Sequence, residues 1–317
     1  MSSPAAHEVQ MRPVEMHIYR PTDPAWATVV KSELCTGKKA AGICRHIELD
    51  VSGTNLAGRC FPGQSIGVLP DGVDGTGRPH KLRLYSLASP SRGEDGKGNV
   101  ISTTVKRMID EHWETHRLFL GVASNWLCDL QVGDRIRVSG PNGKKFVLPV
   151  NTNAHDYVFF ATGTGVAPYR GMIIDLLEAN CSSQIALIMG SPYQSDLLYH
   201  DFFLRMAQQY PNFHYLTAIS RERNGEHDRL YVQDRLRVDA DRLLPILTGG
   251  RALVYICGLA GMELGIFQEL ALMLNGSTLE QFLKVDPEAM RDVRRWNRSM
   301  IHKQVRPTSR VFMEVYA

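Results

Sequence analysis

No two of the six cysteines (Cys35, Cys44, Cys60, Cys128, Cys181 and Cys257) are spaced Cys-x-x-Cys, so the sequence encodes neither a zinc ribbon nor a cluster-binding ferredoxin module. Scattered through 317 residues, they read as free thiols in a reducing compartment rather than as a disulfide framework, and a cytoplasmic protein is expected. No apolar run approaches the roughly 18 residues of a membrane span, and the polar stretch Met1–Gln10 has no apolar centre, so no signal peptide is expected. An excess of one charge is also missing. The 36 basic and 33 acidic residues leave a net charge of +3, too small to argue for nucleic acid. His46, His80, His112, His116, His155 and His200 show no metal-ligand spacing, and no metal is expected.

What is present divides into two parts. After a loose tail over residues 1–20, residues 21–150 alternate short strand candidates with Gly/Pro clusters: 27–32, 44–51, 67–69, 82–88, 100–106 and 135–139. That rhythm predicts a small antiparallel β-barrel domain. Residues 113–120 are ambiguous. From residue 151 to 317 the pattern becomes apolar strand, Gly turn, helix, repeated. Strands at 157–161, 185–190, 214–220 and 253–257, with helices at 169–177, 199–208 and 262–274, predict a doubly wound parallel α/β domain.

Arg83-Leu84-Tyr85-Ser86 places a guanidinium, a phenol and a small hydroxyl together on one strand. An Arg clamps a pyrophosphate with paired donors, an aromatic ring stacks on a flat heterocycle, and a hydroxyl can face a ring nitrogen. Thr104-Val105-Lys106-Arg107 ends another strand with cations, and Gly121-Val122-Ala123-Ser124 leads into a helix for which Ser124 is the expected cap. Both suit a pyrophosphate. In the second part, Thr162-Gly163-Thr164-Gly165 joins a strand to a helix, although Pro168 replaces the third glycine of a full dinucleotide fingerprint. Gly258-Leu259-Ala260-Gly261-Met262-Glu263 makes a second such turn after Cys257. Two Gly turns at the carboxyl ends of strands in one sheet point to a ligand lying across that edge. Ser220, Arg221, Arg229 and Tyr231 could enclose a phosphate monoester and stack on its base, with Glu222 as the competing acid that a free ribose hydroxyl would prefer.

The positive charge is local. Residues 291–310 hold seven Lys or Arg against one acid, leaving 29 basic and 32 acidic residues elsewhere. A solvated helix face over Val293, Trp296 and Met300 is one reading, and a docking patch for an acidic partner is the other.

Taken together, these segments resemble the plant-type ferredoxin–NADP reductases of plastids and cyanobacteria, over about residues 17–275 and again at the C-terminus. The resemblance is carried by Leu69-Pro70-Asp71-Gly72-Val73-Asp74 through Lys81–Ser86, by Val105-Lys106-Arg107, by Val122-Ala123-Ser124-Asn125-Trp126-Leu127-Cys128-Asp129-Leu130, by Gly163–Pro168 and by Cys257–Glu263. It implies an FAD-dependent reductase that exchanges hydride with NADP(H) and single electrons with ferredoxin or flavodoxin. A monomer is expected. Arg83, Leu84, Tyr85 and Ser86 would hold the FAD, with Thr104, Lys106, Gly121, Val122, Ala123 and Ser124 around its pyrophosphate. Thr164 would lie by the nicotinamide and pyrophosphate of NADP(H), Gly258, Leu259 and Met262 would be cofactor-binding, and Ser220, Arg221, Arg229 and Tyr231 would take the 2′-phosphate end. Ser86, Cys257, Glu314 and Tyr316 would stand at the hydride-transfer centre, with Tyr316 stacked on the flavin and yielding to the nicotinamide. Three departures are visible: Ala317 follows the terminal aromatic, Ala123 replaces the family's cysteine, and residues 283–309 form a longer, more basic segment. The same chemistry would serve an NADPH-dependent reductase component of a multi-component oxygenase system, whose electron acceptor differs. A flavin-bearing regulatory protein without turnover would have no use for Ser86, Cys257 and Glu314.

Overall fold

The computed structural model describes residues 9–223 and 228–316. Strands β1 (Ala25–Leu34), β2 (Cys44–Asp50), β3 (Ser65–Leu69), β4 (Arg83–Ser86) and β5 (Val100–Lys106) join β8 (Arg135–Asn142) in a six-stranded antiparallel sheet, in the order β4-β3-β8-β1-β2-β5. Between β5 and β8 lie a small hairpin, β6 (Ile109–Glu111) with β7 (Leu118–Leu120), and helix α1 (Val122–Asp129). The ambiguous stretch 113–120 is therefore the turn and second strand of that hairpin. Ala25, Ala27 and Val29 alternate inward along β1, as expected of a sheet with one solvated face. They pack with Ile47, Leu49, Ile66 and Val138 in a core of their own. The sheet's two outer strands meet at a single bridge, Leu87 to Thr103, and the Thr103 hydroxyl donates to the Ser86 carbonyl at 2.8 Å. The sheet thus curls until its two edges touch at that point.

The second half is a parallel sheet. Strands β9 (Asp156–Thr162), β10 (Ile185–Ser191), β11 (Phe213–Ile219), β12 (Ala252–Leu259) and β15 (Val311–Tyr316) lie in the order β11-β10-β9-β12-β15. All seven residues of β10 are buried, which a strand covered on both faces requires. Helices α2 (Ala167–Glu178) and α3 (His200–Gln209) belong to one covering layer, while α4 (Asp234–Val238), α5 (Ala240–Thr248) and α6 (Met262–Met273) form the other. The chain steps outward from β9 through β10 to β11, then returns to the far side of β9 with β12. That reversal opens a crevice at the carboxyl ends of β9 and β12.

The two halves share a polar seam. Arg170 on α2 donates to both carboxylate oxygens of Glu94, at 2.6 and 3.0 Å, and to the Ala88 carbonyl. Tyr199 meets His46 Nδ1 at 2.8 Å, and the Asp196 carboxylate accepts the backbone N–H groups of Ala41 and Gly42. His46, Glu48 and Glu94 form a tight group, but Arg170 and Lys31 already stand against its carboxylates. Residues 9–20 run beside the linker between the halves, with Arg12 N–H donating to the Leu148 carbonyl and Tyr19 N–H to that of Gly140. No helix among the described residues is long and apolar enough to cross a membrane.

The basic segment is not one helix. It is an excursion between two short paired strands, β13 (Leu283–Val285) and β14 (Val305–Pro307), and contains only single turns at 287–290, 293–295 and 298–300. Non-helical backbone at Asp292 and extended backbone at Asn297 interrupt it. Val293 and Trp296 are nonetheless buried beneath it, as the apolar spacing suggested.

Candidate functional site

Strand β4 is an edge strand, and what it leaves uncovered is informative. Arg83 and Leu84 are exposed, while Tyr85 and Ser86 are half-buried. Tyr85 packs against the first core beside α1, and burial pushes its phenol up to about 12, so it stays neutral. The Ser86 hydroxyl has no partner among the described residues. Gly121, not Ser124, is the N-cap of α1, and no side chain caps that helix. The Ser124 hydroxyl instead donates to the Gly121 carbonyl and accepts the Met108 N–H, both at 3.2 Å. The first N–H groups of α1 therefore remain free for an anion. A methyl on Gly121 would lie 2.7 Å from Ser124 Oγ and 2.8 Å from Met108 Cβ, so only glycine fits this close turn.

Val122, at the start of α1, and Leu84, on β4, are each about half exposed. An exposed guanidinium, bare apolar surface and an uncapped helix start are a donor set that fits a flavin dinucleotide. Lys106 is exposed at the end of β5 and extends over Gly42. Thr104 stands apart: its hydroxyl faces the seam and meets the Tyr199 phenol at 2.5 Å.

A second group gathers at the crevice of the parallel sheet. The turn Gly163–Val166 is a single 3-10 turn leading directly into α2. Thr162, just before it, accepts the Leu259 N–H at 2.8 Å and donates to the Met262 thioether at 3.4 Å. Gly258 has φ +146°, and a side chain there would strike Thr162 Oγ1. Thr162 is the residue here that sequence reading passed over, although it opens the Thr-Gly-Thr-Gly motif.

Gly165 packs on Cys257, where a methyl would fall 2.2 Å from the Cys257 carbonyl oxygen. Gly165→Ala is therefore expected to push the turn off β12 and to lower stability by about 1–3 kcal/mol. Nucleotide affinity should fall with it. A denaturant midpoint equal to that of the parent would contradict this reading of the contact.

Parallel pairing of β12 with β15 sets Cys257 beside Glu314 and Leu259 beside Tyr316. Cys257 is buried, and burial raises its thiol well above the usual range, so it acts as a small neutral group. Burial also raises the Glu314 carboxyl to about 7. The Tyr316 phenol meets Thr164 Oγ1 at 2.8 Å and the Thr162 carbonyl at 3.4 Å. Ala317 lies outside the described residues.

The two halves approach each other near Glu314. Ser86 pairs with Ser65 across β3, and Ser65 pairs with Asn142 on β8. The next residue, Gly143, has its Cβ position 4.0 Å from Glu314 Oε1. Ser86 thus lies two strands across the first sheet from the segment that reaches Glu314.

Ser220, Arg221, Arg229 and Tyr231 lie beyond the carboxyl end of β11, three strands from β12. At the usual spacing that is roughly 14 Å, a fitting span for one nucleotide laid across the edge. Arg221 and Arg229 line an open cavity of about 430 Å³. Glu222 and Asp228 line the same cavity, and one Glu222 carboxylate oxygen accepts the Gln194 N–H. Tyr231 is 60% exposed and can stack.

Residues 159–267 match the family model described as an oxidoreductase NAD-binding domain. A ferredoxin–NADP reductase of Thermosynechococcus vestitus is 36% identical over 280 residues, covering 86% of this chain and 72% of the relative. A chloroplastic ferredoxin–NADP reductase, leaf isozyme 1, of Arabidopsis thaliana is 36% identical, covering 78% of this chain and 69% of its own length. Among solved structures, a ferredoxin–NADP+ reductase of Plasmodium falciparum superposes with a TM-score of 0.70 at 21% identity, over 95% of this chain and 99% of that one.

Proposed function

The chain belongs to the ferredoxin–NADP reductase family, and on that premise we propose how its own residues divide the work. The protein is an oxidoreductase that binds FAD and NADP(H) and exchanges electrons with ferredoxin. The flavin supplies the conversion between a hydride and single electrons, and the protein supplies position and electrostatics. Arg83 and the free N–H groups of α1 hold the flavin dinucleotide's phosphates, and Tyr85 stacks on its ring. Leu84, Lys106, Gly121, Val122, Ala123 and Ser124 shape the rest of that cradle. Thr104 serves it from behind by fixing β5 to Tyr199 across the seam.

NADP(H) lies across the carboxyl edge of the parallel sheet. Arg221, Arg229, Ser220 and Tyr231 take the 2′-phosphate and adenine, while Thr164, Gly258, Leu259 and Met262 receive the nicotinamide half. At the transfer centre Ser86 and Cys257 confine the ring, and Glu314 holds or releases a proton near neutral pH. Tyr316 occupies the nicotinamide's place until the nucleotide displaces it. What supports this reading is the pairing of Cys257 with Glu314 and of Leu259 with Tyr316 at the carboxyl end of β12, with Gly143 of the first half lying close to Glu314.

The working units are a FAD-binding domain over residues 21–150 and an NADP-binding domain over residues 151–317, with 1–20 as a leading tail. The chain acts as a monomer and accepts flavodoxin as well as ferredoxin. Its unpaired cysteines suit the cytoplasm.

The test is steady-state reduction of ferricyanide by the yellow protein with NADPH and with NADH. A strong preference for NADPH is expected, and equal rates would remove the 2′-phosphate assignment. Tyr316→Ser is expected to cut the NADPH-over-NADH preference about tenfold, the worth of one good ring stack. Unchanged kinetics for both nucleotides would remove Tyr316 from the transfer centre.

A further inference from the structure

The excursion between β13 and β14 touches the nucleotide crevice at one point. Glu263, in the first turn of α6, is only 3% exposed. One of its carboxylate oxygens accepts the Gly261 N–H at 2.6 Å, and the other accepts Arg298 Nε at 3.1 Å. Gly261 has φ +107°, a left-handed conformation that glycine adopts freely, and its Cβ position lies 3.9 Å from Arg298 Cδ. The Gly258–Met262 turn is thus held from two sides. On the inside, Leu259 N–H donates to Thr162 Oγ1 and Ala260 N–H to the Tyr316 carbonyl, both at 2.8 Å. On the outside, the Glu263–Arg298 pair is the fastening.

Arg298 is itself fixed. Asn297 Oδ1 accepts the Ser299 N–H at 3.0 Å, closing the turn that carries Arg298. Just before it, Trp296 is buried and donates from Nε1 to the Ala289 carbonyl at 2.8 Å. Gln268, further along α6, donates to the Val293 carbonyl at 3.1 Å and reaches those of Arg294 and Trp296 at 3.4 Å. The excursion is strapped to the helix whose N-terminus it clamps.

We propose that Arg298 is a positioning residue for pyridine-nucleotide binding, which fixes the Gly258–Met262 turn through Glu263. This rests on the assignment of that turn to the nicotinamide half of the nucleotide. The carboxylate would be a buried, unpaired charge without Arg298, and it would turn toward water and release Gly261. The turn would then present its backbone to the nucleotide only part of the time, weakening binding without touching the hydride step.

The test uses the full FAD-loaded chain and four variants: Arg298→Ala, Glu263→Gln, their combination, and Leu259→Ala. NADPH KM and kcat are measured with ferricyanide, NADP+ affinity by calorimetry, and melting midpoints by scanning. Arg298→Ala is expected to raise the NADPH KM and the NADP+ Kd about fivefold, with kcat within about twofold of the parent. Adding Glu263→Gln should restore both constants, because a neutral amide keeps the Gly261 hydrogen bond and needs no cation. A rise that Glu263→Gln fails to relieve would mean that Arg298 touches the nucleotide directly, and would overturn the proposal. An unchanged KM in Arg298→Ala with a raised one in Leu259→Ala would leave Arg298 a purely structural role and also overturn it. Unchanged binding in both would instead remove the turn from the nucleotide site. If Arg298→Ala does not fold, Arg298→Lys, which keeps the charge but not the Nε donor, should give a smaller rise; no rise would count against the proposal.

Discussion

Replacing Arg221 and Arg229 together by alanine raises the KM for NADPH about a hundredfold and leaves that for NADH within about twofold, because two charge-assisted contacts to one phosphate disappear. The two guanidiniums line one cavity beyond β11 together with Arg223, Glu222 and Asp228, and one Glu222 oxygen is taken by the Gln194 N–H. NADH has no 2′-phosphate and so loses only the distant ribose contacts. Specificity here is a difference between two affinities, and the expected change falls on one of them alone. Steady-state kinetics with both nucleotides read it directly. An equal rise for NADH and NADPH would show that the arginines hold the fold of the loop rather than the phosphate.

Glu314→Gln abolishes a pH transition. Burial raises the Glu314 carboxyl to about 7, so in the folded protein it is neutral in mild acid and a carboxylate in mild alkali. Hydride loss leaves positive charge on the nicotinamide, and a carboxylate beside it stabilises that charge as it develops. The rate of NADPH oxidation in the parent should therefore rise as pH climbs through about 7. In Glu314→Gln it should stay flat, about tenfold below the parent at alkaline pH and close to it in acid. A second readout follows from linkage. The folded state keeps the Glu314 proton at pH values where the unfolded chain has lost it, so the ionised carboxyl costs stability as pH rises from the ordinary Glu range through about 7. The glutamine variant should melt above the parent in alkali and level with it in acid. A parental pH profile retained in Glu314→Gln would assign the transition to another group.

Much of this was legible without coordinates, and the failures have identifiable causes. Val100–Lys106 and the helix beginning at Met262 are read from sequence almost to the residue, since alternation and periodicity there agree with the punctuation around them. Residues 234–248 form α4 and α5, which the sequence reading does not include, and Pro245 sits inside α5. A solvated helix face is one of two readings of the basic segment; its apolar spacing agrees with the burial of Val293 and Trp296, but non-helical backbone at Asp292 and Asn297 cuts the segment into single turns.

Ser124 looked like a cap from its position before Trp126, yet the helix starts three residues earlier and its hydroxyl is spent on Gly121. Parallel pairing is the deepest limit. Nothing in the spacing of Cys257 and Glu314 shows that β12 and β15 lie side by side, and only the family resemblance brought those two residues together. The Glu263–Arg298 clasp was invisible for the same reason, because its partners belong to elements joined by packing rather than by sequence.

The most direct test of the whole account is NADPH-driven reduction of a ferredoxin by the purified FAD-loaded protein, run beside NADH and over a range of salt. Rapid reduction with NADPH, slow reduction with NADH, and a rate that falls as salt screens the encounter are the predicted results. Normal ferricyanide reduction with no transfer to any ferredoxin, or comparable rates with NADH, would contradict the account and move the chain to a reductase serving a different acceptor.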